Sequence, residues 1–247
     1  TCHIGNGSSI SAVKGGKVMD TSMGFTPLAG VEMGTRCGDI DPAIVTYIMD
    51  AEGLSAAEMD NLMNKKSGFL GVSGFSSDSR DLENAIAAGP SDPNYERANL
   101  AVNILTHGIK KYIGAYAAAM GGVDAIVFGG GIGRNSASVR QMSLEGLEFL
   151  GAELDAEKNK NCTGGDDLSK EGTLAACVKH FAAYGLVEGG REYGVVNTSE
   201  RFLRQYYLPA YKAGCDAGSA LIMSSFTANA GIPADGDKHL MTDILRN

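Results

Sequence analysis

A chain of 247 residues fits one large domain or two small ones at roughly 150 residues each. With 44% apolar and 20% charged residues it can bury a sizeable core, which excludes global disorder. A net charge of −8 lacks the basic surplus that draws a phosphate backbone, and no window reaches the 18 apolar residues of a membrane span, so neither nucleic acid nor membrane is an expected partner.

The 34 glycines are about twice the usual share of ~7% and point to tight turns and close approach of backbone to a ligand. Residues 1–20 read as short strands (Thr1 to Ile4, Ser9 to Val13, Val18 to Asp20) separated by Gly5-Asn6-Gly7 and by Lys14-Gly15-Gly16-Lys17, both hairpin signals. A loop rich in Gly, Pro and Asp runs to Pro42. Helical periodicity follows in Ala43–Asp50, Ser55–Lys65 and Asp78–Ala88. Beyond Pro90 and Pro93, the longest helix is predicted from Asn94 to about Met120, with Leu100, Ile104, Leu105, Ile109, Tyr112 and Ile113 on its buried face. Val123–Phe128 reads as a buried strand entering the loop Gly129-Gly130-Gly131-Ile132-Gly133. A helix then opens near Asn135-Ser136 and holds Val139, Met142, Leu144 and Leu147.

From about residue 163 the pattern changes, with Gly164-Gly165-Asp166-Asp167 as the seam. Ala175–Phe181 and Leu221–Phe226 are predicted strands. Ser199–Ala217, capped by Ser199, and Asp237–Arg246 are predicted helices. Strand–helix–strand–helix at this spacing indicates βα units of a parallel sheet or barrel. Thr1 lies inside a predicted strand and Ile244–Asn247 inside a predicted helix, so both ends are expected to be cut ends. Five cysteines (Cys2, Cys37, Cys162, Cys177, Cys215) are too widely spaced for a zinc site and odd in number for a closed disulfide set. They read as cytosolic thiols, and no metal-ligating set is expected.

Chemistry concentrates in the first part. In His3-Ile4-Gly5-Asn6-Gly7-Ser8-Ser9, bare glycines let backbone N–H groups approach phosphate oxygens, while His3 and Asn6 add side-chain donors; an ordinary Asn-Gly turn has the same composition. Arg36, in Met33-Gly34-Thr35-Arg36-Cys37-Gly38-Asp39-Ile40-Asp41-Pro42, is a guanidinium set among glycines and suited to a carboxylate or phosphoryl group. Asp39 and Asp41 could hold Arg36 or help hold Mg²⁺. No GxGxxG closes around Gly129–Gly133, no GxxxxGK[ST] exists, and Gly71-Val72-Ser73-Gly74-Phe75 ends in Phe where a nucleophile elbow needs Gly. A strand-terminal glycine loop before a helix nonetheless suits a nucleotide's phosphate or ribose.

Together these segments, with Ser76-Ser77-Asp78-Ser79-Arg80, Gly131-Ile132-Gly133-Arg134-Asn135-Ser136 and Leu147-Glu148-Phe149-Leu150-Gly151, resemble the acetate kinase family over about residues 1–162. The resemblance implies a sugar-kinase/actin-like (ribonuclease H-like) α/β domain lacking its last strand, namely the greater part of that family's C-terminal, nucleotide-binding domain. It implies transfer of the γ-phosphoryl of Mg²⁺-ATP to acetate, giving acetyl phosphate and ADP. His3, Gly5, Asn6 and Gly7 would line the phosphates, and Arg36 would be catalytic, stabilising charge on the phosphoryl group in flight. Asp78, Ser79 and Arg80 would contact the nucleotide, and Gly131, Ile132, Gly133, Arg134 and Asn135 would hold its adenosine end. Arg134 departs from the family, which usually has Glu there. The family's N-terminal domain, with its acetate-side arginine, essential aspartate and second active-site histidine, has no counterpart in this sequence, nor does the glutamate linked to magnesium.

Residues 163–247 look like something else. Gly165–Ser169, Ala176-Cys177-Val178-Lys179-His180-Phe181-Ala182-Ala183-Tyr184-Gly185, Gly189–Tyr193, Tyr206–Lys212 and Thr242–Arg246 are similar to family 3 glycoside hydrolases of the β-glucosidase type over about 164–247. This implies a βαβα fragment of a TIM-type barrel in which Lys179 and His180 bind sugar hydroxyls. Retaining hydrolysis also needs a carboxylate pair about 5 Å apart. In that family the nucleophile lies just beyond Asn247, and Asp243 is not it. The leading expectation is therefore a fusion of two fragments that binds ATP or ADP without useful turnover, the alternatives being a β-glucosidase fragment or a non-catalytic chimera. If the tail strand 175–181 does not extend the first part's sheet, exposed apolar edges favour a homodimer or self-association.

Overall fold

The computed structural model describes residues 1–162, 177–188, 194–216, 219, 221–225 and 227–246, arranged as two compact units, Thr1–Thr163 and Gly164–Asn247. Several sequence features therefore lie outside the described residues: the Gly164–Asp167 seam, Gly165–Ser169, Gly189–Tyr193, Ala175–Ala176, Ala217 and Phe226.

In the first unit, β1 (Cys2–His3), β2 (Ser9–Lys14) and β3 (Lys17–Thr21) form a sheet completed by β4 (Phe128–Gly129), in the order β3-β2-β1-β4. β2 runs antiparallel to both neighbours, whereas β1 and β4 are parallel, with Cys2 opposite Phe128. The β2–β3 turn carries Gly15 and Gly16 at φ 57° and 75°, the left-handed pair that a tight two-residue hairpin requires. In β2, Ile10 and Ala12 point inward and are almost fully buried, which is the period-two burial of a half-covered sheet.

Helices cover the chain between β3 and β4. α1 (Pro42–Glu52) starts on an Asp41 cap and ends at left-handed Gly53; α2 (Ala56–Lys65) starts on a reciprocal Ser55–Glu58 capping box. α3 (Gly68–Ser73), which periodicity does not announce, precedes α4 (Ser79–Ala88) and the 26-residue α5 (Tyr95–Met120). α5 is the central strut, packing on β2, α3, α4 and, later in the chain, the helix Ala137–Leu144.

Its buried stripe differs from the predicted one. Ala98, Ala101, Val102, Leu105, Ile109, Ile113, Tyr116 and Ala117 face the core, while Leu100 and Ile104 stay 46% and 41% exposed. At 100° per residue those two lie on the opposite side of the helix. Small alanines take the close helix contacts, so counting large apolar side chains alone misplaces the face.

The strand predicted at Val123–Phe128 shrinks to Phe128–Gly129. Its ladder partner β1 is two residues long, and Asp124 and Ala125 are exposed. The predicted glycine loop is also shorter: α6 (Gly130–Asn135) is already helical from Gly130, and α7 (Ala137–Leu144) follows after a break at Ser136. α8 (Ala156–Lys160) ends the described part of the unit.

In the second unit, β5 (Cys177–Phe181) takes β7 (Leu221–Ser224) as its parallel partner, so the strand predicted at 175–181 pairs within its own unit. α9 (Glu200–Phe202) and α10 (Leu208–Asp216) lie between them in sequence, joined through a π-helical turn at Leu203–Tyr207; Ser199 caps the run by accepting from Phe202 N–H. β6 (Val195–Val196), β8 (Ala228–Asn229) and β9 (Ile232–Pro233) form a small second sheet of dipeptide strands too short to leave a periodic signal. The predicted Asp237–Arg246 helix is a π-helical stretch over His239–Ile244. Phe181, Ala182, Ala234 and Leu240 make one small core, and Ala183, Val196 and Leu203 another. No helix among the described residues is long and apolar enough to cross a membrane.

Candidate active site

β1 and β4 are parallel neighbours, and both end at the same place. The Ile4 carbonyl there accepts the N–H groups of Ile132 and Gly133, each at 3.0 Å, which seats the first turn of α6 on the end of β1. Gly130 makes this possible: its φ is 77°, and a Cβ would sit 2.4 Å from the Ile4 carbonyl oxygen. Gly5 consequently faces the Gly131 backbone at 3.8 Å, measured from where its own Cβ would lie. The carboxyl edge of adjacent parallel strands is the usual ligand crevice of an α/β sheet.

A third segment closes on this edge. Gly34 N–H donates to the Asn6 carbonyl at 3.2 Å. A Cβ on Gly34 would meet Asn6 Oδ1 at 2.1 Å and the Ser77 carbonyl at 3.0 Å, so three chain segments touch where that side chain is missing. Arg36 lies beside this junction, its Nη1 3.3 Å from where a Gly7 Cβ would be, with the Met33 sulfur at 3.8 Å as its hydrogen-bond partner. No acidic side chain among the described residues pairs with Arg36. Asp39 and Asp41, which the sequence offered as partners for Arg36 or Mg²⁺, are used elsewhere. Asp39 accepts from Gly30 N–H, from the Tyr112 hydroxyl at 2.6 Å and from Lys111, and Asp41 caps α1.

The segments enclose a cavity of about 460 Å³ lined by Gly5, Asn6, Ser77, Asp78, Ser79, Arg80, Glu83, Gly131, Ile132, Asn135 and Ser136. Eight of the residues named from motifs meet there. His3, Gly7, Arg36, Gly133 and Arg134 are not on its wall. Gly7 and Arg36 sit together, Gly133 is buried against Ile4, and the Arg134 side chain is exposed. A larger cavity of about 610 Å³ opens between β2, the end of α5 and residues 121–127; none of the motif residues line it.

Asp78 caps α4 by accepting Arg80 N–H at 2.9 Å and also binds the Arg80 guanidinium, which holds its carboxyl down at about 2. Beneath Gly131–Asn135 lies Arg140, only 4% exposed. It donates to the Gly133 and Arg134 carbonyls at 3.0 and 2.8 Å and to both oxygens of Asn159 at 2.7 Å. Burial lowers its affinity for the proton.

Ser77 and Ser136 stand inside the quoted motifs without an assigned role, and Glu83, Arg140 and Asn159 escape motif reading. Ser136 had a local signal, a serine just before an apolar periodic run; Asn159 had none. In the second unit, Lys179 is exposed and His180 half-buried on β5. The His180 ring meets the Tyr184 ring at a 47° tilt, centroids 4.9 Å apart, and the His180 carbonyl accepts from the Tyr211 hydroxyl at 2.6 Å.

The acetokinase family model matches residues 1–180, well over half of the sequence. The chain belongs to the acetokinase family. A second model, the glycosyl hydrolase family 3 N-terminal domain, matches residues 160–247, so the two matches overlap over 160–180 and the acetokinase match runs past 162. Acetate kinase of Methanosarcina barkeri is 62% identical over 160 residues, covering 65% of this chain and 38% of that protein. The acetate kinase of Fusobacterium nucleatum is 59% identical over 179 residues, covering 72% and 44%. The crystal structure of Porphyromonas gingivalis acetate kinase superposes with a TM-score of 0.63 at 52% identity, covering 66% of this chain and 40% of that one. The chain thus spans about two fifths of the length of these acetokinase relatives.

Proposed function

We propose that residues 1–162 form the nucleotide-binding part of an ATP-dependent acetate phosphotransferase, and that the 247-residue chain by itself binds Mg²⁺-ATP or Mg²⁺-ADP without turning over acetate. The observation that carries this reading is the convergence of Gly5–Asn6, Ser77–Arg80 and Gly131–Asn135 on one cavity at the ends of β1 and β4. Beside it stands Arg36, which no acidic side chain among the described residues pairs with.

Phosphoryl transfer asks for positioning and for charge stabilisation more than for covalent help. In the glycine turn the Gly5 N–H is spent on Ser8 Oγ, which leaves Asn6 and Gly7 to offer backbone N–H groups to phosphate oxygens, and the Asn6 side chain adds a donor. Arg36 supplies a guanidinium for the phosphoryl group in transit. His3, in β1, leads into the turn, and Asp78, Ser79 and Arg80 face the nucleotide from the start of α4. Gly131, Ile132 and Asn135 form the opposite wall, with Gly133 and Arg134 supporting it from behind. Among the described residues no three acidic, His or Cys groups converge as a metal site. Mg²⁺ therefore fits as part of the substrate, held by phosphate oxygens and water.

The sheet order β3-β2-β1-β4 with β2 antiparallel supports a sugar-kinase/actin-like arrangement, with no further strand of that sheet among the described residues. The parallel β5–β7 pair with helices between supports a βαβα piece of a TIM-type barrel. The thiols of Cys2, Cys37 and Cys215, which form no disulfide among the described residues, support a cytoplasmic setting, and α1, which has no buried residue, supports a homodimer or other self-association.

Titration with a fluorescent ATP analogue tests the nucleotide reading. Saturable binding is expected, weakened about tenfold or more in Arg36→Ala, because a charged hydrogen bond to phosphate contributes about 1.5–3 kcal/mol. An unsaturable trace, or one that Arg36→Ala leaves unchanged, rejects it; acetyl phosphate formed by the chain alone rejects the claim of no turnover.

A second reading rests on the family 3 match and on Lys179 and His180 in β5, one strand of a parallel pair: glucose binding by the second unit. A thermal shift with glucose but not with Mg²⁺-ADP would favour it, and hydrolysis of an aryl β-glucoside would make the chain a glycosidase.

A further inference from the structure

Glu83 has no role in the reading above, yet its position is closely defined. Two helical segments, α4 and α6, start at the glycine junction and line one cavity. The Ser77 carbonyl marks the start of one, at the vacant Gly34 side-chain position, and Gly131, facing Gly5, marks the other. Glu83 is five residues beyond Asp78, and Ser136, just past the end of α6, is five beyond Gly131, so at 1.5 Å per helical residue each segment has travelled about 7–8 Å. There they are joined: the Ser136 hydroxyl donates to Glu83 Oε1, and both residues line the 460 Å³ cavity.

The joint is braced. Ser136 Oγ also accepts Val139 N–H at 3.1 Å as the cap of α7 and lies 3.0 Å from the Ser138 hydroxyl, so the carboxylate it holds is fixed in direction. Glu83 Oε2 receives no hydrogen bond from any described residue. A carboxylate can only accept, and its charge repels phosphate and carbonyl oxygens.

We infer that Glu83 is a specificity residue at the nucleoside end of the cavity, where its second oxygen accepts from an N–H or O–H donor of the bound nucleoside. The inference rests on the nucleotide reading, which puts the phosphates at the glycine turn and hence the nucleoside about 7–8 Å further on. Two parts of a nucleoside offer such donors, the exocyclic amine of the base and the ribose hydroxyls, and analogues distinguish them.

The test is calorimetric titration of the full 247-residue chain, wild type and Glu83→Gln, with the Mg²⁺ complexes of four nucleotides: ATP, purine riboside triphosphate (no amine), 2′-deoxy-ATP and 3′-deoxy-ATP. Gln keeps an acceptor for Ser136 but presents an amide donor where Oε2 was. ATP should bind Glu83→Gln about tenfold more weakly than wild type. One class of analogue should bind wild type about tenfold more weakly than ATP does and lose nothing further in the variant, which is the signature of a shared contact. Loss with the amine-free analogue assigns the base edge, and loss with a deoxy analogue assigns the ribose. If wild type binds all four within twofold of one another, the inference fails, and this arm does not depend on the variant folding. Unchanged ATP affinity in a folded Glu83→Gln also overturns it. If wild type binds no nucleotide at all, the nucleotide reading itself fails and takes this inference with it.

Discussion

Arg140 grips Asn159 twice, Nε on the side-chain oxygen and Nη2 on the main-chain oxygen, each at 2.7 Å, while its third nitrogen holds the Gly133 and Arg134 carbonyls. Asn159 passes the link on by donating to the Ala137 carbonyl at 2.9 Å. A buried guanidinium thus ties α8 to the break between α6 and α7, where the wall of the candidate active site turns.

Arg140→Ala should lower unfolding free energy by about 2–4 kcal/mol, because it takes the guanidinium from the Gly133 and Arg134 carbonyls and from Asn159 Oδ1, while the Asn159 carbonyl keeps only the Cys162 N–H. Arg140→Lys should recover less than half of that, since an ammonium cannot reproduce the planar fork. Urea unfolding of the three proteins measures both. A loss under 1 kcal/mol in Arg140→Ala would mean that water replaces the guanidinium at no great cost.

Gly34 and Gly114 make a matched pair. A methyl group on Gly34 collides with Asn6 Oδ1 and presses on the Ser77 carbonyl, whereas one on Gly114, inside α5, meets nothing within 4 Å. Gly34→Ala should destabilise by about 1–3 kcal/mol and displace Asn6. Gly114→Ala should stabilise by up to about 1 kcal/mol through helix propensity and a less free unfolded chain. Thermal melts of both variants check the contrast of sign.

Glu32 is 4% exposed, neither of its carboxylate oxygens has a partner among the described residues, and burial pushes its pKa up to about 8 from an ordinary value near 4.5. The folded protein therefore holds a proton between those two values that the unfolded chain releases. Stability should fall as pH rises through that window, by about 1.4 kcal/mol per pH unit at most, and level off above about 8. Glu32→Gln should remove this slope and be the more stable protein at pH 8. Unfolding free energies measured from pH 5 to 9 decide; parallel curves for the two proteins would show that Glu32 does not set the slope.

His239 should give a separate pH signature in the second unit. Its ring lies 3.3 Å from Asp243 and 3.1 Å from Glu200, and these bonds, the Asp243 one first, raise its pKa above 6.5. The stabilisation is complete below 6.5 and is lost as pH climbs through the raised value. Amide exchange in His239–Ile244 should quicken over that range in wild type and show no such step in His239→Gln.

Local chemistry was readable wherever one residue type decides the geometry. Gly15-Gly16 makes the hairpin, Ser55 and Glu58 start α2, and α5 begins one residue from its predicted start. What escaped depends on partners distant in sequence. Leu100 and Ile104 look like core residues until the alanines on the other face are seen to do the packing. β4 reads as a full strand until its partner proves to be two residues long. At the cavity, glycines and the Asp78 cap announce themselves, whereas Glu83 matters only through Ser136, 53 positions away. The position of Arg134 is the reverse case: a motif residue whose backbone is held by Arg140 while its side chain faces water.

α1 carries Ile44, Val45, Tyr47, Ile48 and Met49 yet buries none of them, and Tyr47 is 71% exposed. A greasy ridge of this kind gives environment-sensitive dyes such as anilinonaphthalene sulfonate somewhere to settle on the native protein. Their emission should be bright before any denaturant is added, so melting of this chain is better tracked through its own tyrosines.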